Sequence, residues 1–262
     1  MDRVRDLSSS EDEEVIVVNA KTLIIGPCGA GKTSFIASVT GGDIERMDAN
    51  KATQYVSHSV YAVEKHEGEV IPLDEGGASL TLPCAMNIQF LIWDVFGQDT
   101  NAQAVNPMLK RSTSLTLIVG DVTSEHILDV ERSPLIPYRQ IMTHTRQPVT
   151  NIPVPCLLVL NKIDLMPNGW LEKRKKQLDA FLSTHGFIAC CATSAKKDRK
   201  SCRSVFDIAA SKHIATINRH NPNMFDGDME GTESSESEKL DIVTPVSEAK
   251  GGTSASGGGC AC

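Results

Sequence analysis

The chain of 262 residues is long enough for one well-packed α/β domain with tails, and its 40% hydrophobic and 23% charged content is that of an ordinary globular protein. No apolar run reaches the roughly 18 residues that a membrane-spanning helix needs, and the first twenty residues hold no secretory apolar stretch, so the chain is expected to start in the cytosol. The net charge of −7 resides at the ends, with six acids against two bases in residues 1–14 and eight against three in residues 219–262, which leaves no basic patch for nucleic acid.

Eight cysteines (28, 84, 156, 190, 191, 202, 260 and 262) form no regularly paired framework, and in a reducing compartment most read as free thiols or small core residues. The run Ser8-Ser9-Ser10-Glu11-Asp12-Glu13-Glu14 makes residues 1–14 a solvated, disordered acidic arm, with phosphorylation of the serines as the alternative use. From Val15 apolar runs of strand length alternate with stretches of helical period. That alternation predicts an α/β fold with a mostly parallel six-stranded sheet and helices on both faces.

In chain order the expected strands are 21–25, 55–63, 88–93, 115–120, 156–160 and 187–191. The expected helices are 32–40, 102–111, 135–146, 170–184 and 201–219, the fourth with an apolar face from Leu171, Leu178, Phe181 and Leu182. Gly68, Pro72, Gly76 and Gly77 mark 65–82 as an extended hairpin tip, with a plain surface insertion as the default explanation. The globular domain is expected over 15–219. Residues 220–262 turn to Gly, Ser, Glu and Asp and read as a flexible tail.

The first motif with chemistry is Gly26-Pro27-Cys28-Gly29-Ala30-Gly31-Lys32-Thr33, placed between a strand and a helix and followed by the helical Ser34-Phe35-Ile36-Ala37. Glycines let the backbone wrap phosphate oxygens with N–H groups, and the helix N-terminus adds a favourable dipole. Lys32 supplies a cation for β- and γ-phosphates, and the Thr33 hydroxyl suits Mg²⁺. The pattern indicates a nucleoside triphosphate without saying which.

The base is chosen further on, where a buried strand ends in Asn161-Lys162-Ile163-Asp164. Guanine presents N1–H and its N2 amino group as adjacent donors, and one carboxylate accepts both; adenine has no such pair, so Asp164 discriminates by geometry. Lys162 is expected along the base plane and Asn161 as a brace for the phosphate loop. The next strand ends in Thr193-Ser194-Ala195-Lys196, whose backbone N–H groups suit guanine O6. Either motif alone serves as a cap or a turn; both in this order, at strand ends on the ligand face of an α/β sheet, indicate GTP or GDP.

Between these motifs lies Phe90-Leu91-Ile92-Trp93-Asp94-Val95-Phe96-Gly97-Gln98-Asp99. Asp94 is placed to hold Mg²⁺ through water, the Gly97 N–H to sense the γ-phosphate, and Gln98 to orient the attacking water as the catalytic residue. This segment resembles the W-D-x-x-G-Q-E segment of Rab-family small GTPases, and Gly120-Asp121-Val122-Thr123 is similar to their Y-D-V-T segment. The resemblance covers about residues 20–218 with every nucleotide motif in order. Pro153-Val154-Pro155-Cys156 and the 181–187 segment lean it towards the branch serving lysosome-related organelles and melanosome biogenesis.

The resemblance implies a P-loop NTPase G domain, slow GTP hydrolysis with Mg²⁺, and recruitment of effectors to an intracellular membrane of endosomal, lysosome-related or Golgi type. It also implies an exchange factor, a GTPase-activating protein, a GDP-dissociation inhibitor and an escort protein as partners. A switch threonine capping Mg²⁺ falls best on Thr53, although Tyr55 stands where the family carries Gly. Phe96 replaces a small residue beside the γ-phosphate, and Cys28 adds a side chain at a loop position where it can slow hydrolysis sterically. Thr100-Asn101-Ala102 and Leu109-Lys110 replace the family's aromatic effector surface.

The terminal Gly259-Cys260-Ala261-Cys262 resembles a double prenylation site, with a two-ligand metal site or a chance pair as alternatives. A single lipid anchors only marginally and this tail is net acidic, so two chains on Cys260 and Cys262 are the consistent anchor. Two other functions stay open: a constitutively GTP-bound membrane scaffold, motivated by Cys28 and Phe96, and an intraflagellar-type Rab-like protein, motivated by Gly26-Pro27-Cys28. A P-loop ATPase or nucleotide kinase is disfavoured by the guanine motifs.

Overall fold

A computed structural model describes residues 15–43, 57–74, 76–95, 110–147, 152–221, 225 and 242–243. The first strand, β1 (Ile16–Ile25), sets the frame. Its second half is buried on both faces, as a central parallel strand must be, and alternate side chains serve opposite layers. Ala20 and Ile24 face one core, Leu23 and Ile25 the other. β1 is followed by α1 (Lys32–Thr40), β2 (Ser57–Lys65) and the short strands β3 (Val70–Pro72) and β4 (Ser79–Thr81). Then come β5 (Met86–Asp94), β6 (Leu115–Asp121), α2 (Ile136–Thr143), β7 (Cys156–Asn161), α3 (Trp170–Lys173), α4 (Lys175–His185), β8 (Ala189–Ala192) and α5 (Arg199–His220).

The main sheet runs β2-β5-β1-β6-β7-β8. β1, β5, β6, β7 and β8 are mutually parallel, and β2 is paired antiparallel with β5. This is the expected α/β architecture, a six-stranded, mostly parallel sheet consistent with a small-GTPase G domain. A seventh, two-residue strand, β9 (Ile242–Val243), adds antiparallel to Val17 and Val18, where β6 does not reach.

Two cores sandwich the sheet. On one side α1 and α5 bury Phe35 and Phe206 against Phe90, with the Phe206 ring centroid 6.0 Å from Phe35, 5.1 Å from Phe90 and 5.2 Å from Tyr61. On the other, Tyr138, Met142, Trp170 and Phe181 cover Ile118, Leu158 and Leu160. Burying each such side chain stabilises by roughly 1.5–3 kcal/mol.

The helix α1 has the expected bounds because its ends are written in glycine. Gly31 precedes it at φ 87°, and Gly41 closes it at φ 84°. The stretch 170–184, expected as one helix, is two. The backbone turns at Arg174 (φ −110°, ψ 12°), whose guanidinium lies 4.7 Å over the buried Trp170 ring system, and α4 starts afresh beyond it. The buried Phe181 and the partly buried Leu178 and Leu182 lie on the expected apolar face.

The 65–82 stretch contains a hairpin, β3–β4, but not a plain surface insertion. Ile71 and Leu82 are each 1% exposed and belong to the core beneath α5. The hairpin's base is tied by Gly68 N–H to Leu82 O (2.9 Å), Leu82 N–H to Glu69 O (3.0 Å) and a Lys65–Glu69 ion pair of 2.8 Å. α5 extends to His220, with Asp198 capping it by accepting from Ser201 N–H at 3.1 Å, and Phe225 is buried in the same core as Phe206. The expected acidic arm, all but the last two residues of the expected 102–111 helix and most of the expected tail lie outside the described residues.

Candidate nucleotide-binding site

The parallel strands β1, β6 and β7 end on one edge of the sheet, and the phosphate and guanine motifs emerge there side by side. That placement follows from the connectivity, since loops leaving the carboxyl ends of parallel strands gather on one face. Two glycines of the phosphate loop are fixed by their surroundings. A Cβ on Gly26 (φ 145°) would stand 2.1 Å from the Val119 carbonyl oxygen of β6, and one on Gly31 would meet Asn161 Nδ2 at 2.5 Å. The loop therefore packs directly against the β6 backbone and against the Asn161 side chain at the end of β7. Within it Ala30 is buried, while Cys28 and Gly29 are exposed; Ser34 lies half-buried in the first turn of α1.

Lys32 is buried, and its ammonium donates to Gly26 O and Pro27 O at 2.9 Å each. Burial lowers its pKa, opposed by the charge of Asp94 and by Cys28. Thr33 Oγ1 donates to Asp94 Oδ2 at 2.7 Å, joining the start of α1 to the end of β5. Asp94 is 1% exposed, and burial raises its pKa against the Thr33 hydrogen bond and the Lys32 charge. Its other oxygen, Oδ1, is buried with no hydrogen-bond partner among the described residues. A buried carboxylate oxygen without a donor, next to a hydroxyl, is a pair of hard oxygen donors, the chemistry that Mg²⁺ takes beside phosphates. The residues present fit that ion.

The guanine motif is braced as expected. Asn161, 2% exposed, donates from Nδ2 to Ala30 O at 3.0 Å, while its Oδ1 accepts from Ala195 N–H at 3.1 Å and from Thr193 Oγ1 at 3.4 Å. One amide thus ties the phosphate loop to the 193–196 loop. Asp164 Oδ1 accepts from Ser194 Oγ at 2.6 Å, and Lys197 Nζ lies 3.5 Å from Oδ2. The Ser194 hydrogen bond leads the causes that hold Asp164 below the usual carboxylate range, with Lys197 helping. Lys196 is exposed.

Two partners were not anticipated. Lys197 faces the Asp164 carboxylate, and Asp121, at the end of β6, accepts from Lys162 Nζ at 2.6 Å. A D-x-T at a strand end was visible in the sequence, but its ion pair depends on β6 lying beside β7. The expected Thr53, Phe96, Gly97 and Gln98 and the terminal Cys260 and Cys262 lie outside the described residues.

No protein-family model matches the chain. Among curated proteins it is similar to the Ras-related protein Rab-7L1 of rat (Rattus norvegicus), 25% identical over 179 residues that make up 68% of this chain and 74% of that protein. It is equally similar to the human (Homo sapiens) Ras-related protein Rab-7L1, at 25% over 68% of this chain and 75% of that protein. The chain is a distant homologue of these Rab proteins.

Proposed function

We propose that this protein is a Rab-like, guanine-nucleotide-dependent molecular switch that binds GTP or GDP with Mg²⁺ and hydrolyses GTP slowly. The observation that carries this is the single Asn161 amide joining the phosphate loop at Ala30 to the base loop at Ala195, beside a carboxylate fixed by Ser194. A general phosphate-binding loop has no use for the second half of that arrangement. The distant homology to Rab-7L1 supports the same reading.

In this proposal Gly26, Cys28, Gly29, Ala30, Gly31, Lys32, Thr33 and Ser34 cradle the phosphates, with Gly97 at the γ-phosphate. Asn161, Lys162, Asp164, Ser194, Ala195 and Lys196 form the guanine pocket. Thr33, Thr53 and Asp94 hold Mg²⁺, which when bound neutralises charge on the β- and γ-phosphates. Gln98 orients water. GTP orders Thr53 and the 94–99 segment into a surface for effectors, and hydrolysis releases them. Prenyl groups on Cys260 and Cys262 tether the protein to the cytoplasmic face of an intracellular membrane, where it serves vesicle traffic with the regulators of its class. Among the described residues no helix is long and apolar enough to cross a membrane.

A second reading, a scaffold that holds GTP without hydrolysing it, is favoured by the exposed Cys28 on the phosphate loop. Single-turnover hydrolysis of pre-bound GTP, with ATP as control, separates the two. Slow conversion of GTP alone, lost in Gln98→Leu, is the expected result. Tight GTP binding without conversion selects the scaffold, and equal handling of ATP refutes both.

A further inference from the structure

Asp121 is the last residue of β6 and pairs in register with Asn161, the last residue of β7. Lys162 follows directly, and its backbone is left-handed at φ 67°, a conformation that costs a non-glycine residue on the order of 1 kcal/mol. The ammonium of Lys162 meets Asp121 Oδ2 at 2.6 Å. The carboxylate is itself held, because Oδ1 accepts from Thr123 N–H at 2.9 Å and from Thr123 Oγ1 at 2.6 Å. Val122 N–H donates to Asn161 O at 3.0 Å, locking the two strand ends together. Burial pushes the Asp121 pKa up, but hydrogen bonds from Lys162 and Thr123 and the Lys162 charge outweigh it and leave the carboxylate below its usual range.

We propose that Asp121 is a positioning residue for nucleotide binding: it anchors the Lys162 ammonium so that the lysine's methylene stem is preset as the apolar wall against the face of the guanine base. This rests on the guanine-switch reading above and extends it to a residue outside the base-reading motif. A lysine stem is a poor wall when free, since its four torsions carry about 2 kcal/mol of rotamer entropy that binding must remove. An anchored ammonium removes most of that freedom beforehand. A role in stability alone fits the pair less well. Its side chains are 34% and 19% exposed, and an ion pair so wetted contributes little to folding.

The test is dissociation of a fluorescent GDP from full-length protein. Asp121→Ala and Asp121→Asn are each expected to speed dissociation about tenfold, the scale of releasing one rotamer-rich side chain. Asp121→Asn retains an acceptor for Thr123 and removes the charge, so it serves if the alanine variant folds poorly. Inosine diphosphate, which lacks the amino group read by Asp164, should be released faster by the same factor, because a stem acts on the ring face and not on its edge. In a Lys162→Ala background the Asp121 effect should vanish, and Asp121→Glu should recover part of it.

Unchanged dissociation in both Asp121 variants overturns the assignment, as does an equal acceleration in the Lys162→Ala background. Wild-type protein that holds ADP as tightly as GDP overturns the guanine reading and the assignment with it. A wild-type preference for GDP over ADP, with a GDP dissociation rate that the Asp121 variants leave unchanged, overturns the assignment alone.

Discussion

Replacing Asp164 by Asn separates the fold from the specificity of the site. In the structure Asp164 Oδ1 accepts from Ser194 Oγ at 2.6 Å, a bond that an asparagine oxygen can also receive. Oδ2 lies 3.5 Å from Lys197 Nζ, but the lysine side chain is 66% exposed, so losing that ion pair costs less than about 1 kcal/mol. Folding stability should therefore change little. Guanine binding should change greatly, because N1–H and the N2 amino group would lose two charge-assisted acceptors worth roughly 1.5–3 kcal/mol each. The sum corresponds to a loss in GDP affinity on the order of 10²- to 10⁴-fold. Xanthine carries a carbonyl where guanine carries the amino group, and an amide offers one acceptor and one donor to match it, so xanthosine diphosphate should gain affinity. Competition of both nucleotides against a fluorescent GDP, together with a thermal melt, reads all three quantities. An Asp164→Asn protein that melts like wild type and keeps the wild-type ratio of GDP to xanthosine diphosphate affinity would refute the assignment of Asp164 as base reader.

Three further outcomes follow from the same geometry. His213 is buried in α5, and burial lowers its pKa from 6.5 to about 4, so the unfolded chain takes up a proton that the folded chain refuses. Its contribution is complete above pH 6.5 and is lost as pH falls towards 4, by about 3 kcal/mol in all; His213→Leu should flatten this part of a denaturant-monitored pH profile relative to wild type. Cys28 is exposed, whereas burial pushes Cys156 and Cys191 up to about 11 and Cys190 up to about 12. In a Cys260→Ser/Cys262→Ser protein, maleimide should therefore modify Cys28 first and block GDP binding, and bound GDP should protect it; mass mapping that finds Cys28 equally reactive with and without GDP speaks against its place on the phosphate loop. Ile71→Ala should cost about 2–5 kcal/mol in urea unfolding, as a core truncation does, whereas a dispensable insertion would lose less than about 0.5.

The parts of this protein that were legible in its sequence are those where chemistry permits few residues. The phosphate loop is one, because at Gly26 and Gly31 a Cβ would collide with Val119 O and Asn161 Nδ2, and the sequence has to say so. The ends of α1 are another, since left-handed positions at Gly31 and Gly41 are written in glycine. The break at Arg174 was hidden because the apolar period of Leu171, Leu178 and Leu182 runs across it. The hairpin's burial was hidden for a different reason. Like the exposed Val70, Ile71 and Leu82 are interspersed with Gly, Pro and acidic residues, and only the proximity of α5 makes a core of them. Asp121 and Lys197 were out of reach for a third reason. Each gains its role from a residue more than thirty positions away, through strand adjacency that no local pattern encodes.

The least stable-looking part of the site is also the part that best explains its use. Lys32 and Asp94 are 7% and 1% exposed, and burial shifts each towards its neutral form. A fold selected for stability alone would replace such a pair, since desolvation of two charges commonly exceeds what their attraction returns. Here the lysine's hydrogen bonds go to loop carbonyls, and one carboxylate oxygen meets no donor among the described residues. In the proposed complex a phosphate with Mg²⁺ would supply an anion for Lys32 and a cation for Asp94. Free energy withheld from folding would thereby be returned on binding, and a thermal melt at a thousandfold excess of GDP over Kd should show about 4 kcal/mol of added stability. A protein whose conformation is meant to report its ligand requires that coupling. The Asn161 bridge from Ala30 to Ala195 would then extend it from the loop after β1 to the 193–196 loop, so that in the proposed complex the two halves of one ligand are sensed together.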